Sequence, residues 1–401
     1  MRIALFHNLP SGGAKRAVYE WTRRLVKRHQ IDVYSLSSAD HNFSDIRPYV
    51  QKYKIYDFKP YPLFGSPFGR LNQLQRWRDL GTLTNIHKQI AVDINAGDYG
   101  VVLANTSMYT FTPILASYVD IPIIYYLHEP VGRAANRYIS RPYQRKNRAR
   151  GFFDRYDPLI KLYRKHLELL QVESIQATDC FLANSAFTQA CMKAAYGVDA
   201  PICRYGVDLD EFEPVQGISR ESHLLSVGEL SPRKGYDFLV DSLGHIPADQ
   251  RPKLRIACNS VQTQEREYIK NLADEKGVVL EILTNLNTEK LKIEYNQAAL
   301  CVYAPVDEPF GLVPLEAMAC GTPVVGVREG GIAESIVHER TGLLVERDAQ
   351  HFASAVQYLL SNPSVAEEYG RNGLEHILEN WTWEKSVTTL DDHLNACARG
   401  S

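Results

Sequence analysis

Two glutamates, Glu308 and Glu316, lie eight residues apart on either side of a glycine turn. The apolar run at 299–304 before them predicts a buried parallel strand. The loop at 305–311 therefore leaves the carboxyl end of a strand, where open α/β sheets bind ligands. Pro314 fits the first turn of a following helix, because a proline there removes an N–H that would have no partner. This order of strand, loop and helix predicts a ligand site with two carboxylates.

The start of the predicted helix is suited to phosphate, because helix N-termini present free N–H groups and the positive end of the helix dipole. We therefore predict that the backbone of Gly311, Leu312 and Val313 binds a diphosphate. One helical turn spans about 5 Å, so Glu316 can reach a neighbouring hydroxyl, such as that of a ribose, and Glu308 a sugar hydroxyl. Carboxylates beside a diphosphate are useful only as acceptors of hydrogen bonds from neutral hydroxyls. The segment predicts a site for a sugar joined to a nucleoside diphosphate.

The stretch 308–325 resembles a motif of the retaining, nucleotide-sugar-dependent glycosyltransferases of family 4, which have the GT-B fold. The resemblance covers nearly the whole chain and is densest over about residues 200–345. It implies an α/β protein of two doubly wound, Rossmann-like parallel-sheet domains that face a central cleft. It also implies that Phe310 belongs to the donor-binding residues and that Glu308 orients the sugar as a catalytic residue.

The length of 401 residues and the strand pattern predict two domains. Apolar, strand-like runs alternate with helix-period segments, which indicates parallel sheets. We place an N-terminal, acceptor-side domain at 1–203 and a C-terminal, nucleotide-sugar-binding domain at 204–380. Residues 381–401 are expected to form a helix that crosses back to the first domain, as the resemblance implies.

The composition limits the classes of binding partner and the cellular compartment that the sequence predicts. A formal net charge of −2 predicts no general attraction to nucleic acid, and no apolar run approaches the roughly 20 residues of a membrane span. The seven cysteines are scattered at spacings that fit neither a disulfide framework nor a zinc site. These features predict a cytoplasmic protein.

The segment 226–235 follows a predicted strand and opens a helix. Its Gly228 allows the backbone to approach a ligand closely, and Lys234 supplies a point charge suited to a diphosphate. The segment resembles the family's pair of cations that bind the pyrophosphate, but Glu229 stands where the family has an arginine. Either Arg233 works together with Lys234, or the side chain of Glu229 points away, and the departure puts donor affinity in question.

Neither a metal nor another cofactor is expected. Asp208 and Asp210 have the spacing of a metal-binding pair, but they lie in the interdomain linker, where the family has an Asn-Gly-Val-Asp segment and this chain has Tyr205 in place of the asparagine. No cluster of His, Cys and Asp has ligand spacing elsewhere. Lys234 and the helix N-terminus are expected to replace magnesium.

Three further motifs match positions of the family. Gly12 and Gly13 open the first helix, where the resemblance places a glycine turn beside the acceptor and the donor phosphate. His128 ends a buried strand, and the resemblance implies that its imidazole contacts the donor sugar; a structural histidine is the alternative. A later glycine turn at 330–331 leads to Glu334, which is expected either to cap a helix or to contact the substrate.

Residues 133–165 carry many arginines and lysines with interleaved aromatic residues. Such a helical surface either lies on an anionic membrane, as in many relatives that act on lipid-linked acceptors, or is a solvated insertion. Peripheral attachment at the inner face of the membrane is therefore one of two alternatives.

The sequence favours a retaining, metal-independent hexosyltransferase that acts on a UDP- or GDP-sugar. The acceptor hydroxyl belongs to a small molecule or a glycan, for example a lipid-linked or cell-envelope glycan. The resemblance implies that Lys234 stabilises the leaving diphosphate, whose oxygen deprotonates the acceptor on the same face of the sugar. The alternatives are another GT-B enzyme, such as a phosphorylase or a nucleotide-sugar epimerase, and a catalytically weak nucleotide-sugar-binding protein.

Overall fold

The computed structural model describes residues 1–65, 69–130, 139–144 and 156–400. The strands of these residues form two six-stranded sheets, in which neighbouring strands are parallel. The strands are β1 (Arg2–Asn8), β2 (Gln30–Leu36), β3 (Lys52–Tyr56), β4 (Val101–Ser107), β5 (Ile123–Leu127), β6 (Cys180–Ala183), β7 (Leu224–Val227), β8 (Leu254–Cys258), β9 (Leu280–Thr284), β10 (Leu300–Tyr303), β11 (Val324–Val327) and β12 (Gly342–Val345).

Helices cover both sheets. The described α-helices are α1 (Gly13–Leu25), α2 (Asn72–Asn95), α3 (Pro158–Gln176), α4 (Ala186–Tyr196), α5 (Tyr236–Gly244), α6 (Thr263–Lys276), α7 (Thr288–Gln297), α8 (Leu312–Ala319), α9 (Ile332–Ser335), α10 (Ala349–Ser361), α11 (Pro363–Asn380) and α12 (Trp383–Arg399). Within the described parts of the chain, no helix combines the length and the apolar character that crossing a bilayer requires.

The two sheets share one topology. The first has the order β3-β2-β1-β4-β5-β6, and the second has the order β12-β11-β10-β7-β8-β9. The direction of winding therefore reverses between β1 and β4 in the first sheet, and between β7 and β10 in the second. Ligands of open α/β sheets bind outside the carboxyl ends of strands at such a switch point. The loops after these four strands are thus the ones expected to form a site.

The central strands are buried because helices pack on both faces of each sheet. All seven residues of β4 are buried, and so is β1 from Ile3 onwards. Trp21 of α1 packs against one face of the first sheet, and Ile90 of α2 packs against the other. A strand covered on both sides has a continuous apolar sequence, which is why these strands could be recognised.

The C-terminal helix α12 packs against α1 of the first domain. Trp21 donates a hydrogen bond through Nε1 to Ser386 Oγ at 2.8 Å, and Arg28 forms an ion pair with Asp391 at 3.0 Å. The chain thus passes between the domains twice. The two crossings lie side by side, because the Val207 N–H donates to the carbonyl of Trp381 at 2.8 Å.

The substitution Gly206→Ala tests how tightly these two crossings pack. A Cβ at Gly206 would lie 2.3 Å from the backbone nitrogen of Trp383, a contact that only movement of the backbone can relieve. We expect the change to lower the free energy of unfolding by about 1–3 kcal/mol, the usual cost of overpacking. Denaturant unfolding measures this.

The matched control is Gly81→Ala. Gly81 lies in α2 with open space around an added Cβ, and alanine favours helix over glycine by about 1 kcal/mol. This variant should be as stable as the wild type or slightly more stable. Equal stability of Gly206→Ala and the wild type would contradict the packing described for the linker.

Candidate active site

The loops after β7 and β10 interlock. Lys234 Nζ lies 2.8 Å from Glu308 Oε2, and the two side chains are only about one-fifth exposed. Gly235 has a φ of 68°, and a Cβ added at this position would lie 2.1 Å from the carbonyl oxygen of Ala304. The Val306 N–H also donates to the carbonyl of Arg233 at 2.8 Å. This contact brings together a cation and a carboxylate that the sequence placed in separate motifs.

The glycine turn at 330–331 supports the backbone at Glu308 from the other side. The Gly331 N–H donates to the Glu308 carbonyl at 2.9 Å. A Cβ on Gly330, whose φ is 60°, would lie 2.3 Å from the same oxygen, and one on Gly331 would lie 2.4 Å from the Pro309 oxygen. Side chains at these two positions would push the loop away. The turn therefore holds the loop that carries Glu308.

Glu334, which follows this turn, caps a helix of the other domain. Its Oε1 accepts a hydrogen bond from the backbone N–H of Phe187 at 3.2 Å, in the first turn of α4. Its Oε2 lies 3.4 Å from Arg204 Nη2. Of the two roles expected for Glu334, the structure thus shows capping, although the helix that it caps belongs to the first domain.

Glu316 lies one turn into α8, as expected, and is nearly buried. Its Oε1 accepts from Arg16 Nη1 at 2.8 Å, and its Oε2 accepts from the Tyr295 hydroxyl at 2.8 Å. Burial raises the pKa of the Glu316 carboxyl, and the charge of Arg16 opposes that rise. A nucleotide hydroxyl that bound here would donate to the Glu316 carboxylate, either beside the Arg16 guanidinium or in its place.

Arg16 is a residue of the site that the sequence reasoning missed. It lies in α1, three residues after Gly13, and also forms an ion pair with Glu211. Its guanidinium lies over the ring of Phe212, with 5.3 Å between the guanidinium carbon and the ring centroid. Its position beside the glycine turn was the one available signal, because an arginine near a phosphate-binding turn is a candidate for pairing with an acid.

The glycine turn of the first domain meets the N-terminus of α8. Gly12 has a φ of 145°, a backbone conformation that favours glycine, and a Cβ there would meet open space. A Cβ on Gly13 would lie 3.1 Å from Leu312 Cδ1. Neither Gly12 before α1 nor Gly311 before α8 supplies a side-chain cap, so neither N-cap residue satisfies the first N–H groups of its helix, which makes those groups candidates for binding a ligand. Two helix N-termini thus lie at the same place.

His128 is enclosed by protein. Its Nε2 lies 2.7 Å from Asn105 Oδ1, and its Nδ1 lies 2.5 Å from the Tyr205 hydroxyl. Asn105 Nδ2 donates to the Phe6 carbonyl, so its Oδ1 accepts, Nε2 carries the proton and the Tyr205 hydroxyl donates to Nδ1. Burial lowers the pKa of His128 to about 3. Both ring nitrogens are occupied in this arrangement, and the contact with a sugar stays a prediction.

The ring of Phe310 also lies in the interdomain core. It packs against Tyr205 and Trp381, with ring centroids 4.7 Å and 5.8 Å apart, and it is 5% exposed. A ligand can therefore approach the backbone of Phe310 more readily than its ring. Gly311, Leu312 and Val313 lie at the start of α8, where their N–H groups were expected.

Arg233 and Glu229 are both exposed. Arg233 Nη2 makes a long contact of 3.5 Å with the Asp307 carbonyl. Among the described residues, the acid that pairs with Lys234 is Glu308, and Glu229 forms no ion pair. Within the part of the chain that the structure describes, Glu229 therefore does not compete with Glu308 as an acidic partner of Lys234.

In the structure, Asp208 of the linker binds an arginine and a backbone amide. Asp208 forms an ion pair with Arg23 of α1, and its Oδ1 accepts from the backbone N–H of Asp210 at 2.9 Å. Over the described ranges, no group of three or more His, Cys, Asp or Glu side chains could hold a metal ion.

The fold and this site together define a class of protein. Two Rossmann-like domains whose switch points face one another across an interface constitute the GT-B fold. Residues 11–211 match the family model described as Glycosyltransferase Family 4, and residues 209–376 match the one described as Glycosyl transferases group 1. The chain belongs to glycosyltransferase family 4.

The relatives agree with this family, and the solved structures agree with the fold. The chain is 31% identical to D-inositol 3-phosphate glycosyltransferase 2 of Catenulispora acidiphila over 62% of its own length and 61% of that protein. It superposes on sucrose-phosphate synthase from Thermosynechococcus elongatus with a TM-score of 0.75 at 21% identity, over 100% of both chains. Anabaena HepE in complex with UDP-glucose gives a TM-score of 0.69 at 16% identity, over 99% of this chain and 100% of that one. The alignments with the curated relatives span about three fifths of their length.

The buried state of His128 predicts how stability depends on pH. The pKa of about 3 in the folded chain lies below the value near 6.5 of an unfolded histidine. As the pH falls below 6.5, protonation therefore favours the unfolded chain. We expect wild type to lose about 1.4 kcal/mol per pH unit more than His128→Gln between pH 6 and pH 4, as one proton per molecule requires. Denaturant unfolding at several pH values measures this difference.

His351→Gln is the control, because the His351 side chain is 77% exposed. This variant should follow the pH dependence of the wild type. Parallel curves for wild type and His128→Gln would mean that His128 is already accessible to protons in the folded chain.

Proposed function

We propose that the protein is a retaining glycosyltransferase that moves a hexose from a UDP- or GDP-sugar to an acceptor hydroxyl. One observation carries the proposal: at the facing switch points of the two sheets, Lys234 pairs with Glu308, and the N-terminus of α8, which follows Glu308 in the chain, meets the Gly12–Gly13 turn. Family membership supports the reaction class. HepE, whose structure holds UDP-glucose, supports a nucleotide-sugar donor, and the D-inositol 3-phosphate glycosyltransferase supports transfer to a small-molecule hydroxyl.

The proposed mechanism assigns the leaving diphosphate to three groups. Lys234, the exposed Arg233 and the N–H groups at the start of α8 stabilise the charge that develops on the diphosphate. Before the donor binds, the ion pair with Glu308 holds Lys234 in place at 2.8 Å. A diphosphate offers Lys234 a second anionic partner, and Glu308 then accepts hydrogen bonds from hydroxyls of the sugar.

The acceptor reacts on the face of the sugar that the diphosphate leaves. In this proposal the departing phosphate oxygen deprotonates the incoming hydroxyl, so the anomeric configuration is retained without a protein nucleophile or a metal ion. The closed interface between the domains excludes water from the sugar and thus suppresses hydrolysis. The cleft side of the first domain, next to Gly12 and Gly13, receives the acceptor.

Substitutions at Lys234 and Glu316 test the proposed site. Lys234→Ala and Glu316→Ala should each lower turnover at least tenfold, about 1.4 kcal/mol of transition-state stabilisation. Lys270→Ala, at an exposed lysine of α6, should turn over as the wild type does. Release of nucleoside diphosphate from UDP-glucose or GDP-mannose measures the rate, with EDTA present and phosphate absent. Proton NMR of the product reports the anomeric configuration.

Three outcomes would contradict the proposal. Rates close to wild type in both variants would mean that the donor binds elsewhere. A requirement for inorganic phosphate would favour a phosphorylase, and an inverted product would exclude the proposed front-face route.

We also propose that a cytoplasmic, peripheral form of the protein binds anionic membranes, at a surface partly different from the one expected. About half of 133–165 lies outside the described residues, but α3 and the region before and within α2 are described. Trp77 of α2 stacks on His166 of α3, with ring centroids 4.5 Å apart, so the two helices form one surface. Large apolar side chains are exposed on it: Leu63, Phe64, Leu74, Trp77, Leu162 and Leu169. The same two helices also carry exposed basic residues: Arg76, Arg78, Lys161, Arg164 and Lys165.

This combination of apolar and basic groups fits an anionic membrane. Vesicle flotation should show binding to phosphatidylglycerol vesicles at low salt, weaker binding at high salt, and at least fivefold weaker binding of a Leu74→Ser/Trp77→Ser variant. Leu378→Ser, at an exposed leucine of the second domain, should bind as the wild type does. Absence of wild-type binding at low salt would exclude the membrane partner.

A further inference from the structure

A short segment of the first domain docks onto the second domain. Residues 139–144 lie between β5 and α3 in the sequence, yet two of their side chains contact α5 and α6. The side chain of Arg141 is 3% exposed. The ring of Tyr143 packs edge-on against Tyr268, with centroids 6.1 Å apart. This segment thus joins the domains at a point apart from the linker and α12.

Every nitrogen of the Arg141 guanidinium has a partner on the second domain. Nε lies 3.1 Å and 3.0 Å from the two oxygens of Glu265, and Nη1 lies 2.7 Å from Asp237 Oδ2. Nη2 donates to Asp237 Oδ1 at 3.0 Å, to Glu265 Oε1 at 2.9 Å and to the Pro232 carbonyl at 3.1 Å. Only the planar, five-donor group of an arginine can satisfy these acceptors at once.

The second domain is incomplete without this guanidinium. Glu265 is 0% exposed, and within the described residues its carboxylate is bound by Arg141 and by the Tyr143 hydroxyl at 2.6 Å. A carboxylate buried without such partners is strongly unfavourable. Asp237 and Glu265 thus form an acidic pocket of the second domain, which we call the socket. Among the described residues, the cation that occupies this socket is Arg141 of the first domain.

The socket lies directly behind the loop that carries Lys234. Pro232, whose carbonyl accepts from Arg141, begins the short 3-10 turn Pro232–Lys234. Asp237 follows two residues after Gly235, in the first turn of α5. The ends of the loop that presents Lys234 to Glu308 are thus both in contact with Arg141.

A cavity of about 630 Å³ lies beside this contact, lined by Ile139, Pro232, Gly235 and Tyr268 among others. Next to this cavity, Arg141 and Tyr143 bind the second domain through polar contacts.

We propose that Arg141 is a positioning residue that couples domain closure to the placement of Lys234. When the domains close, Arg141 enters the socket of Asp237 and Glu265 and fixes the Pro232–Lys234 turn. Lys234 then reaches its position beside Glu308. When the domains separate, the turn loses this support, and the side chain of Lys234 no longer has a defined position. The inference rests on the proposed function of Lys234 in donor binding.

Hydrogen exchange of the ligand-free chain tests the structural half of this inference. The N–H groups of Lys234 and Gly235 bond to the carbonyls of Ser231 and Pro232. Arg141→Lys keeps the positive charge but loses the planar guanidinium with its several donors. We expect the N–H groups of Lys234 and Gly235 to exchange at least tenfold faster in this variant. Amides of β10 should exchange as in the wild type, and Arg371→Lys, at an exposed arginine of α11, should change neither. Unchanged exchange at Lys234 and Gly235 would overturn the inference.

A double-mutant cycle tests the functional half. Arg141→Lys should weaken binding of UDP or GDP, whichever the wild type binds, about tenfold in the wild-type background and less than twofold in Lys234→Ala, because residues that act as a unit are not additive. A purely structural role would weaken binding equally in both backgrounds, and that result would also overturn the inference. If Arg141→Lys does not fold, Asp237→Asn tests the same link.

The two proposals fail in distinguishable ways. If the wild type binds neither nucleotide, the proposed function fails, while the exchange experiment still decides whether Arg141 supports the turn.

Discussion

The loop at 305–311 can carry a ligand site because close backbone contacts fix it from several sides. Gly235 and Gly331 leave no room for a Cβ against the carbonyl oxygens of Ala304 and Pro309. Ser185 of the first domain donates to the Pro309 oxygen at 2.5 Å. Arg347 donates to the carbonyls of Ala304 and Pro305 at 3.1 Å and 2.8 Å. A helix N-terminus binds phosphate without reorganisation only if the chain that leads into it is held in this way.

The charges around this loop are satisfied by partners from the opposite domain or the adjoining loop. Glu316 is bound by Arg16 across the domain interface, Lys234 by Glu308 within the second domain, and the acids behind the Lys234 loop by Arg141. These partners keep buried charges compensated while no ligand is bound. A donor that enters must exchange contacts with Arg16 and Lys234, and this exchange links donor binding to the fit between the domains.

The fold was predictable because buried parallel strands and glycine turns are signals that lie close together in the sequence. The apolar run that became β10, and Pro314 in the first turn of α8, indicated the order of strand, loop and helix that the structure contains. The position of Glu316 followed from helix geometry alone.

Contacts between distant residues could not be predicted in this way. Arg16 and Glu316 are 300 residues apart in the chain, and no local pattern pairs them. His128 was expected to contact the donor sugar because it ends a strand, and that contact stays a prediction. No local pattern indicated that the Tyr205 hydroxyl, 77 residues away in the chain, lies against its Nδ1. Arg141 was not distinguished from the other basic residues around it, because the acids that it binds, part-exposed Asp237 and buried Glu265, lie on two helices of the other domain.

In the proposed site, a nucleoside diphosphate binds between Lys234, the N-terminus of α8 and Glu316. Isothermal titration calorimetry with UDP, GDP and ADP, in the presence of EDTA, tests it most directly. We expect UDP or GDP to bind the wild type and to bind Lys234→Ala at least tenfold more weakly, a loss of about 1.4 kcal/mol. Binding of none of the three, or equal binding to the wild type and Lys234→Ala, would contradict it.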